Sequence, residues 1–197
     1  MATHIVVNPD LDTYNTLEKS FLDVAGEPGS TVTYTVFAAG AAPKTATVPM
    51  NTRNFATSPD LFGLANKKTA LIVAVTADPG PSSSVLHQCD TKGGRSAATV
   101  PSSVHMLGTS FNIPISDTTG GATLFLGNAN GADASAVVQL GGSTATTSAP
   151  IRVPGFGVGT FKITQGESNL VVTVTNGVPV AAFVGIGTRF LVVHPVG

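Results

Sequence analysis

The chain has 197 residues, a formal net charge of -1 and only 11% charged residues, against roughly 25% in an average soluble domain. Charge this sparse and this balanced excludes a nucleic-acid binder, which needs a basic face. A mean hydropathy of +0.30 excludes a disordered chain, because disorder combines low hydropathy with high net charge. The single cysteine, Cys89, excludes a disulfide framework within the chain, so packing has to stabilise the fold.

The first element in chain order is Thr13–Val24, where Tyr14, Leu17 and Phe21 recur at helical spacing. The same stretch also fits a strand, and the sequence leaves the two alternatives open. In the next element, Thr31–Phe37, threonine alternates with valine or tyrosine up to Val36. Such period-two alternation is typical of an antiparallel strand with one buried face.

A single helical turn is predicted at Ser58–Phe62, because a capping serine is followed by a proline and an acidic residue. Further strands follow the same alternating or apolar pattern; they are predicted at 71–76, 123–126, 136–140, 170–175, 180–186 and 190–193. Turns rich in glycine, proline and asparagine separate these segments. Strands this short, with turns this frequent, predict an all-β fold, an antiparallel β-sandwich or barrel with little helix.

The order of these features repeats at an offset of about 100 residues, which predicts a duplicated architecture. Each copy has a short apolar run, a loop, an alternating strand, a Val-Pro pair and a later valine-rich strand. Val48-Pro49 and Val153-Pro154 mark equivalent points. We predict two similar tandem β-sandwich units, 1–103 and 104–197, packed separately or as one compact body, with the joint in Thr91–Ser103.

The second predicted unit carries the fuller pattern, in Leu124–Ala134, Val137–Leu140, Val153-Pro154 and Val172–Val184. This pattern resembles the β-sandwich domain of the sensory-rhodopsin transducer family and related bacterial domains. The resemblance implies a β-sandwich that assembles as a homo-oligomer. It also implies a role as a non-enzymatic adaptor or ligand binder.

Catalytic and cofactor motifs are missing from the sequence: it contains no Gly-x-Ser-x-Gly, no His-Glu-x-x-His, no Walker loop and no spaced Cys/His zinc set. Gly155–Gly159 resembles a dinucleotide loop, but its last glycine comes one residue early and no helical pattern follows, so a glycine-rich β-turn is predicted. His87 and Cys89 are the residue types of a base and a nucleophile, yet a free cysteine more often fills a small apolar space. The other histidines are predicted as polar residues at strand ends: His4, His105 and His194. We therefore predict no enzyme, no catalytic residue and no cofactor.

Oxygen-bearing side chains alternate along Asn8–Asp12, as they do in a calcium loop. Thr13 stands where an EF-hand needs glycine, and Lys19 stands where it needs glutamate, so an EF-hand is excluded. An Asx-turn is predicted instead. The alternative is an irregular cation site that includes Asp117 or Asp133. We predict no bound metal.

Aromatic side chains on a flat β face are a second kind of candidate site, because they can stack on sugars. Trp is absent, and Tyr14 and Tyr34 are the only tyrosines. The ten phenylalanines are predicted to lie mainly in the core, since they are the largest apolar residues of the chain.

The low charge is itself informative about function. Monomers normally carry lysine and glutamate over their surfaces and strand edges, whereas homo-oligomer interfaces are depleted in charge. The sequence predicts a non-enzymatic structural protein whose partners are copies of itself, as a shell, decoration or fibre subunit of a virus-like or surface assembly. The apolar segment Phe190–Val196 is predicted either to close a sheet or to pair with a neighbouring subunit.

The alternative prediction is a small binding or adaptor module for a carbohydrate or a partner protein. Met1–His4 lacks the basic and apolar regions of a secretory signal. The longest apolar run, Val178–Ile186, is too short to span a bilayer. We expect synthesis in the cytoplasm, no membrane insertion and a final location in a particle or surface assembly.

Overall fold

The computed structural model describes residues 3–8, 17–38, 40–61, 71–78, 83–90, 95–100, 106–115, 121–141, 146–163, 169–186 and 189–196. Antiparallel strands make up nearly all of the described structure, which confirms the predicted all-β class. The strands of the first half, up to residue 100, are β1 (Thr3–Asn8), β2 (Leu17–Ala25), β3 (Thr31–Phe37), β4 (Lys44–Pro49), β5 (Phe55–Thr57), β6 (Leu71–Asp78), β7 (Ser83–Asp90) and β8 (Arg95–Val100). Those of the second half are β9 (Leu107–Gly108), β10 (Ser110–Pro114), β11 (Ala122–Asn128), β12 (Ala134–Gly141), β13 (Thr146–Thr147), β14 (Ile151–Val153), β15 (Gly157–Ile163), β16 (Asn169–Val174), β17 (Val180–Ile186) and β18 (Arg189–Val193).

These strands form four sheets, which we name A to D. Sheet A has the order β1-β6-β3-β4, and sheet B has the order β5-β2-β7-β8. Sheet C has the order β15-β11-β17-β18, with β9 also paired to β17, and sheet D has the order β10-β16-β12-β13, with β14 also paired to β12. Within the described ranges, each ladder joins strands of one half only, so sheets A and B belong to the first half and sheets C and D to the second.

The strand order of the first half recurs in the second. Strands β1-β6-β3-β4 correspond to β10-β16-β12-β13, and β5-β2-β7-β8 correspond to β15-β11-β17-β18. The segments aligned by the predicted repeat fall on corresponding strands, for example β3 with β12 and β6 with β16. Descent of the halves by duplication, and the boundary at 103/104, stay predictions.

The sheets pack face to face in the order B, A, C, D, and the edge strands β8 of sheet B and β18 of sheet C also contact each other. Sheets A and B enclose the core of the first half, where Val32, Tyr34 and Val36 of β3 are buried against Leu22 of β2. The Tyr34 hydroxyl crosses this core and donates a hydrogen bond to the Ala56 carbonyl oxygen of β5 at 3.0 Å. The alternation of β3 therefore produces the half-buried strand that the sequence predicts.

Sheets A and C join the two halves. Ile5 and Val7, on the face of β1 that points away from sheet B, belong to the same buried cluster as Phe125 of β11 and Phe183 of β17. Both faces of β11 and β17 are buried, which explains their nearly continuous apolar sequences. The opposite face of sheet C, with residues such as Leu124, packs on sheet D to form the core of the second half.

The structure shows the conformation of several segments that the sequence left open. The described part of Thr13–Val24 belongs to strand β2. Successive side chains of a strand point to opposite faces, and this places Leu22 and Val24 together on one fully buried face. The predicted joint Thr91–Ser103 contains strand β8, which pairs with β7, and the position of the joint stays a prediction. At Ser58–Phe62, residue 61 alone is helical among the described positions.

Candidate functional site

An apolar groove of about 280 Å³ lies between two sheet edges of the second half. Its walls come from β10 at the edge of sheet D and from β17 and β18 of sheet C. The lining is mainly aliphatic and includes Ile113, Ile115, Val184 and Leu191, with His194 as one of its polar members. Leu191 is 51% exposed, so the groove presents an apolar surface to solvent. Such a groove fits an aliphatic group of a ligand or partner.

The C-terminal segment shapes this groove. Its strand β18 pairs with β17, and the chain then crosses to β10, where Pro195 bridges Phe111. The backbone N–H of Val196 donates to the Ser110 carbonyl oxygen at 2.9 Å. The segment Phe190–Val196 thus closes the sandwich within the chain, which is the first of its two predicted roles.

A second candidate is a set of ordered loops at one end of the second half, around Asp133. The Nε of Arg152 donates to one carboxylate oxygen of Asp133 at 2.7 Å, and the backbone N–H of Gly155 donates to the other at 2.9 Å. The hydrogen bond from Gly155, followed by that from Arg152, holds the pKa of the Asp133 carboxyl below its usual range. Asp133 is therefore a charged anchor for the loop at Gly155.

Three asparagines extend this network to neighbouring loops. The fully buried Asn128 side chain donates to the Ala132 carbonyl at 2.7 Å and accepts from the Asn130 N–H at 2.9 Å. Asn130 donates to the Pro179 carbonyl at 3.1 Å. The Asn176 side chain donates to the Asp133 carbonyl at 2.9 Å and accepts from a strand N–H at 3.1 Å. Because these polar groups bind one another, the network fixes the loops rather than supplying a free acid or base.

Phe156 lies beside this network and is the aromatic residue that the sequence reasoning missed. It is 40% exposed, has a φ of 51°, and stacks on Phe37 of the first half with ring centroids 5.0 Å apart. Gly155 and Phe156 form a turn, whereas residues 157–159 already belong to β15, so the β-turn predicted for Gly155–Gly159 is confirmed only in its first two residues. The prediction of core phenylalanines fits Phe111 and Phe125, which are fully buried, but not Phe156.

The candidate base and nucleophile lie in one strand, and the described histidines outside it lie elsewhere in the molecule. His87 and Cys89 lie in β7, where their backbones pair with Phe21 and Lys19 of β2, and their side chains lie outside the description. His4 is the second residue of β1, close to the strand end that the sequence predicts, and it is buried with 2% exposure. His194 follows β18, is exposed and lines the groove, whereas His105 lies outside the described residues.

The cation candidates are not brought together by the described structure. Asp10, Asp12 and Asp117 lie outside the described residues, and Asp133 is bound to Arg152 and Gly155. Within the described ranges, no group of three or more His, Cys, Asp or Glu side chains is placed to hold a metal ion.

Tyr34, a candidate for sugar stacking, is fully buried with its hydroxyl bonded to a backbone carbonyl, so its ring belongs to the core. Burial, and secondarily the charge of Asp23, raise the pKa of this phenol well above its usual value. Tyr14 lies outside the described residues.

Comparisons of this chain with protein-family models, with curated proteins and with solved structures return no match. In the part of the chain that the structure describes, no helix is both long enough and apolar enough to cross a membrane.

Proposed function

We propose that this chain is a non-enzymatic structural protein that self-assembles into a homo-oligomer, as a shell, decoration or fibre subunit of a virus-like or surface assembly. The observation that carries the proposal is the outer face of sheet D, which points away from the core. Its exposed side chains include Asn112, Gln139, Thr147 and Thr173, all uncharged, and the guanidinium of Arg152 is already bound to Asp133.

An uncharged sheet face of this kind suits burial between copies. Removing charged groups from water costs much more free energy than removing threonine or asparagine side chains that find new hydrogen-bond partners. Lysine and glutamate, which normally keep β surfaces from associating, are scarce throughout the chain. The composition and the described face therefore favour association with other copies of the chain.

Measuring the molar mass over a wide concentration range tests this proposal. Light scattering coupled to size exclusion, together with sedimentation velocity, should give masses at multiples of 19.8 kDa that rise with concentration. Negative-stain electron microscopy of the largest fraction should show particles or fibres of regular repeat. A protein that stays monomeric at the highest soluble concentration contradicts the proposal.

A second candidate function is a small binding or adaptor module, and the groove beside Leu191 favours it. Its aliphatic walls, which His194 joins as a polar lining residue, would seat an apolar group of a peptide or an acylated glycan. A glycan array and a pull-down of cellular partners, each compared with a Leu191→Asp variant, test this function. Retention of the same partner by both proteins, or the absence of any partner, counts against it.

A further inference from the structure

The two halves of the chain meet through unlike faces. Sheet A presents the face that carries Ile5 and Val7, and sheet C presents the face that carries Phe125 and Phe183. Sheets A and C do not correspond in strand order: sheet A corresponds to sheet D, and sheet C corresponds to sheet B. The contact between the halves is therefore of the head-to-tail type, in which two different surfaces join.

Among the described strands, this arrangement leaves one counterpart of each joined surface without a facing sheet. The outer face of sheet D corresponds to the face of sheet A that binds sheet C. The outer face of sheet B corresponds to the face of sheet C that binds sheet A. In the stacking order B, A, C, D, these two faces lie at opposite ends.

The outer face of sheet B has a partly apolar character among its described side chains. Leu22 and Val24 of β2 point into the core, so alternation places Phe21, Asp23 and Ala25 on the outer face, and all three are half-buried. Phe21 stands on this face of β2 as Phe125 does on the corresponding face of β11. Because Phe21 is half-buried, part of the residue stays exposed on this face.

The outer face of sheet D is the second of the two surfaces. Its central strands present Val137 and Val171, both half-buried, among uncharged polar side chains such as Gln139. Its charged residue Arg152 is already paired with Asp133, so this face carries little net charge that could repel the carboxylate Asp23 on sheet B. The mixture of valine, phenylalanine and uncharged polar groups is typical of interfaces that form reversibly.

We propose that copies of this chain stack head to tail, with the outer face of sheet D of one copy on the outer face of sheet B of the next. The contact between sheets A and C inside each molecule is then continued between molecules. A head-to-tail contact leaves a free face at each end, so it extends into an open filament or closes into a ring. This inference rests on the proposed function and specifies the interface through which the assembly forms.

Two single substitutions block the two faces separately. Val171→Lys places a cation on sheet D, and Phe21→Lys places one on sheet B. Each change should raise the concentration of half-assembly about tenfold or more, because a lysine would be buried without a partner. Thr45→Lys, which adds the same charge at an exposed position of β4, is the matched control and should assemble like the unmodified chain.

Mixing the two blocked variants is the decisive measurement. Each variant retains the face that the other has lost, so an equimolar mixture should form dimers of one copy of each and nothing larger. Circular dichroism and thermal unfolding verify that each variant is folded. If either is unfolded, Gln139→Lys replaces Val171→Lys, and Ala25→Lys replaces Phe21→Lys, since these positions lie on the same faces.

The outcomes separate this inference from the proposed function. An unmodified chain that stays monomeric at all concentrations overturns both. An unmodified chain that assembles, with single variants that assemble equally well, overturns the head-to-tail interface alone. The same holds if the mixed variants give no dimer, because a contact between two identical faces cannot be restored by mixing.

Discussion

The ring of Phe156 stacks on the ring of Phe37, with centroids 5.0 Å apart and planes inclined by 15°. The two residues are distant in sequence and belong to different halves, Phe37 at the end of β3 and Phe156 in the turn before β15. This aromatic pair is a contact between sheet A, through the end of β3, and the turn that leads into sheet C beside the loops around Asp133. Phe156 holds this position with a φ of 51°, a conformation that is unfavourable for a side chain of its size.

Replacing Phe156 tests the stack and the backbone strain separately. Phe156→Ala removes the ring but keeps a Cβ at positive φ, so we expect a loss of about 1–2 kcal/mol in the free energy of unfolding. Phe156→Gly removes the ring and relieves the strain, and it should be less destabilising than Phe156→Ala. Chemical denaturation measures both. A double-mutant cycle with Phe37→Ala should show coupling, and additive effects would contradict a stabilising stack.

Tyr34 is expected to stabilise the first half through its hydroxyl. Tyr34→Phe leaves the buried Ala56 carbonyl without this donor and should lower the free energy of unfolding by about 1–2 kcal/mol. Since the pKa of Tyr34 is raised in the folded state, its contribution is complete below about pH 10 and is lost as the pH rises above that value.

Alkaline titration followed by phenolate absorbance measures this ionisation. The chain has two tyrosines, so comparison with Tyr34→Phe isolates the signal of Tyr34. The Tyr34 phenolate should form only together with unfolding, as reported by circular dichroism. Ionisation of Tyr34 near pH 10 in a fully folded chain is the contrary result.

The alternation of apolar and polar residues along single strands made the fold class predictable. This pattern gives no signal where both faces of a strand are buried or where the residues are small. Thr31–Phe37 shows its buried face directly in the sequence, because one face is fully buried and the other, which carries the threonines, is exposed or half-buried. In β11 and β17 the two faces contact different cores, so the sequence alone does not show that Leu124 and Phe125 point to different sheets. The strand β8 lay hidden in a Gly/Ser/Ala-rich stretch, since small residues carry little pattern.

The candidate site was less predictable, because it depends on contacts between distant segments. Asp133 meets Arg152 only after β14 pairs with β12, and Phe156 meets Phe37 only after the halves pack. A sequence signal existed for the loop, since Asn128, Asn130 and Gly131 cluster within a few residues. It predicted a turn but not the hydrogen-bond partners, which lie on other loops.

Gly155 is expected to be irreplaceable in the loop network. A Cβ at this position would overlap the backbone carbonyl of Gly131, and backbone atoms have little freedom to move away. Gly155→Ala should therefore destabilise the fold by about 1–3 kcal/mol. In a double-mutant cycle with Asp133→Ala the effects should be non-additive, because Gly155 donates to Asp133.

A matched control for this cycle is Gly29→Ala in the first half. Gly29 has a φ of 78° and open space around it, so its replacement costs backbone strain without a steric overlap. Its effect should simply add to that of Asp133→Ala. Equal coupling of both glycines to Asp133 would show that the network around Gly155 is not a local unit.

The Asp133 carboxylate should make the stability of the second half depend on acid pH. Its pKa is lowered in the folded state, so its stabilising contribution is present above about pH 4 and disappears as the pH falls through the folded value. Asp133→Asn should be less stable than the unmodified chain at pH 7, and the difference should shrink towards zero in stronger acid. Denaturant titrations from pH 7 to pH 2 measure it, with Arg152→Gln as a partial control that keeps the Gly155 hydrogen bond. Because the ion pair is exposed, added salt should reduce the stability difference between the two proteins at pH 7. A stability difference that persists undiminished in acid contradicts the assigned role of the carboxylate.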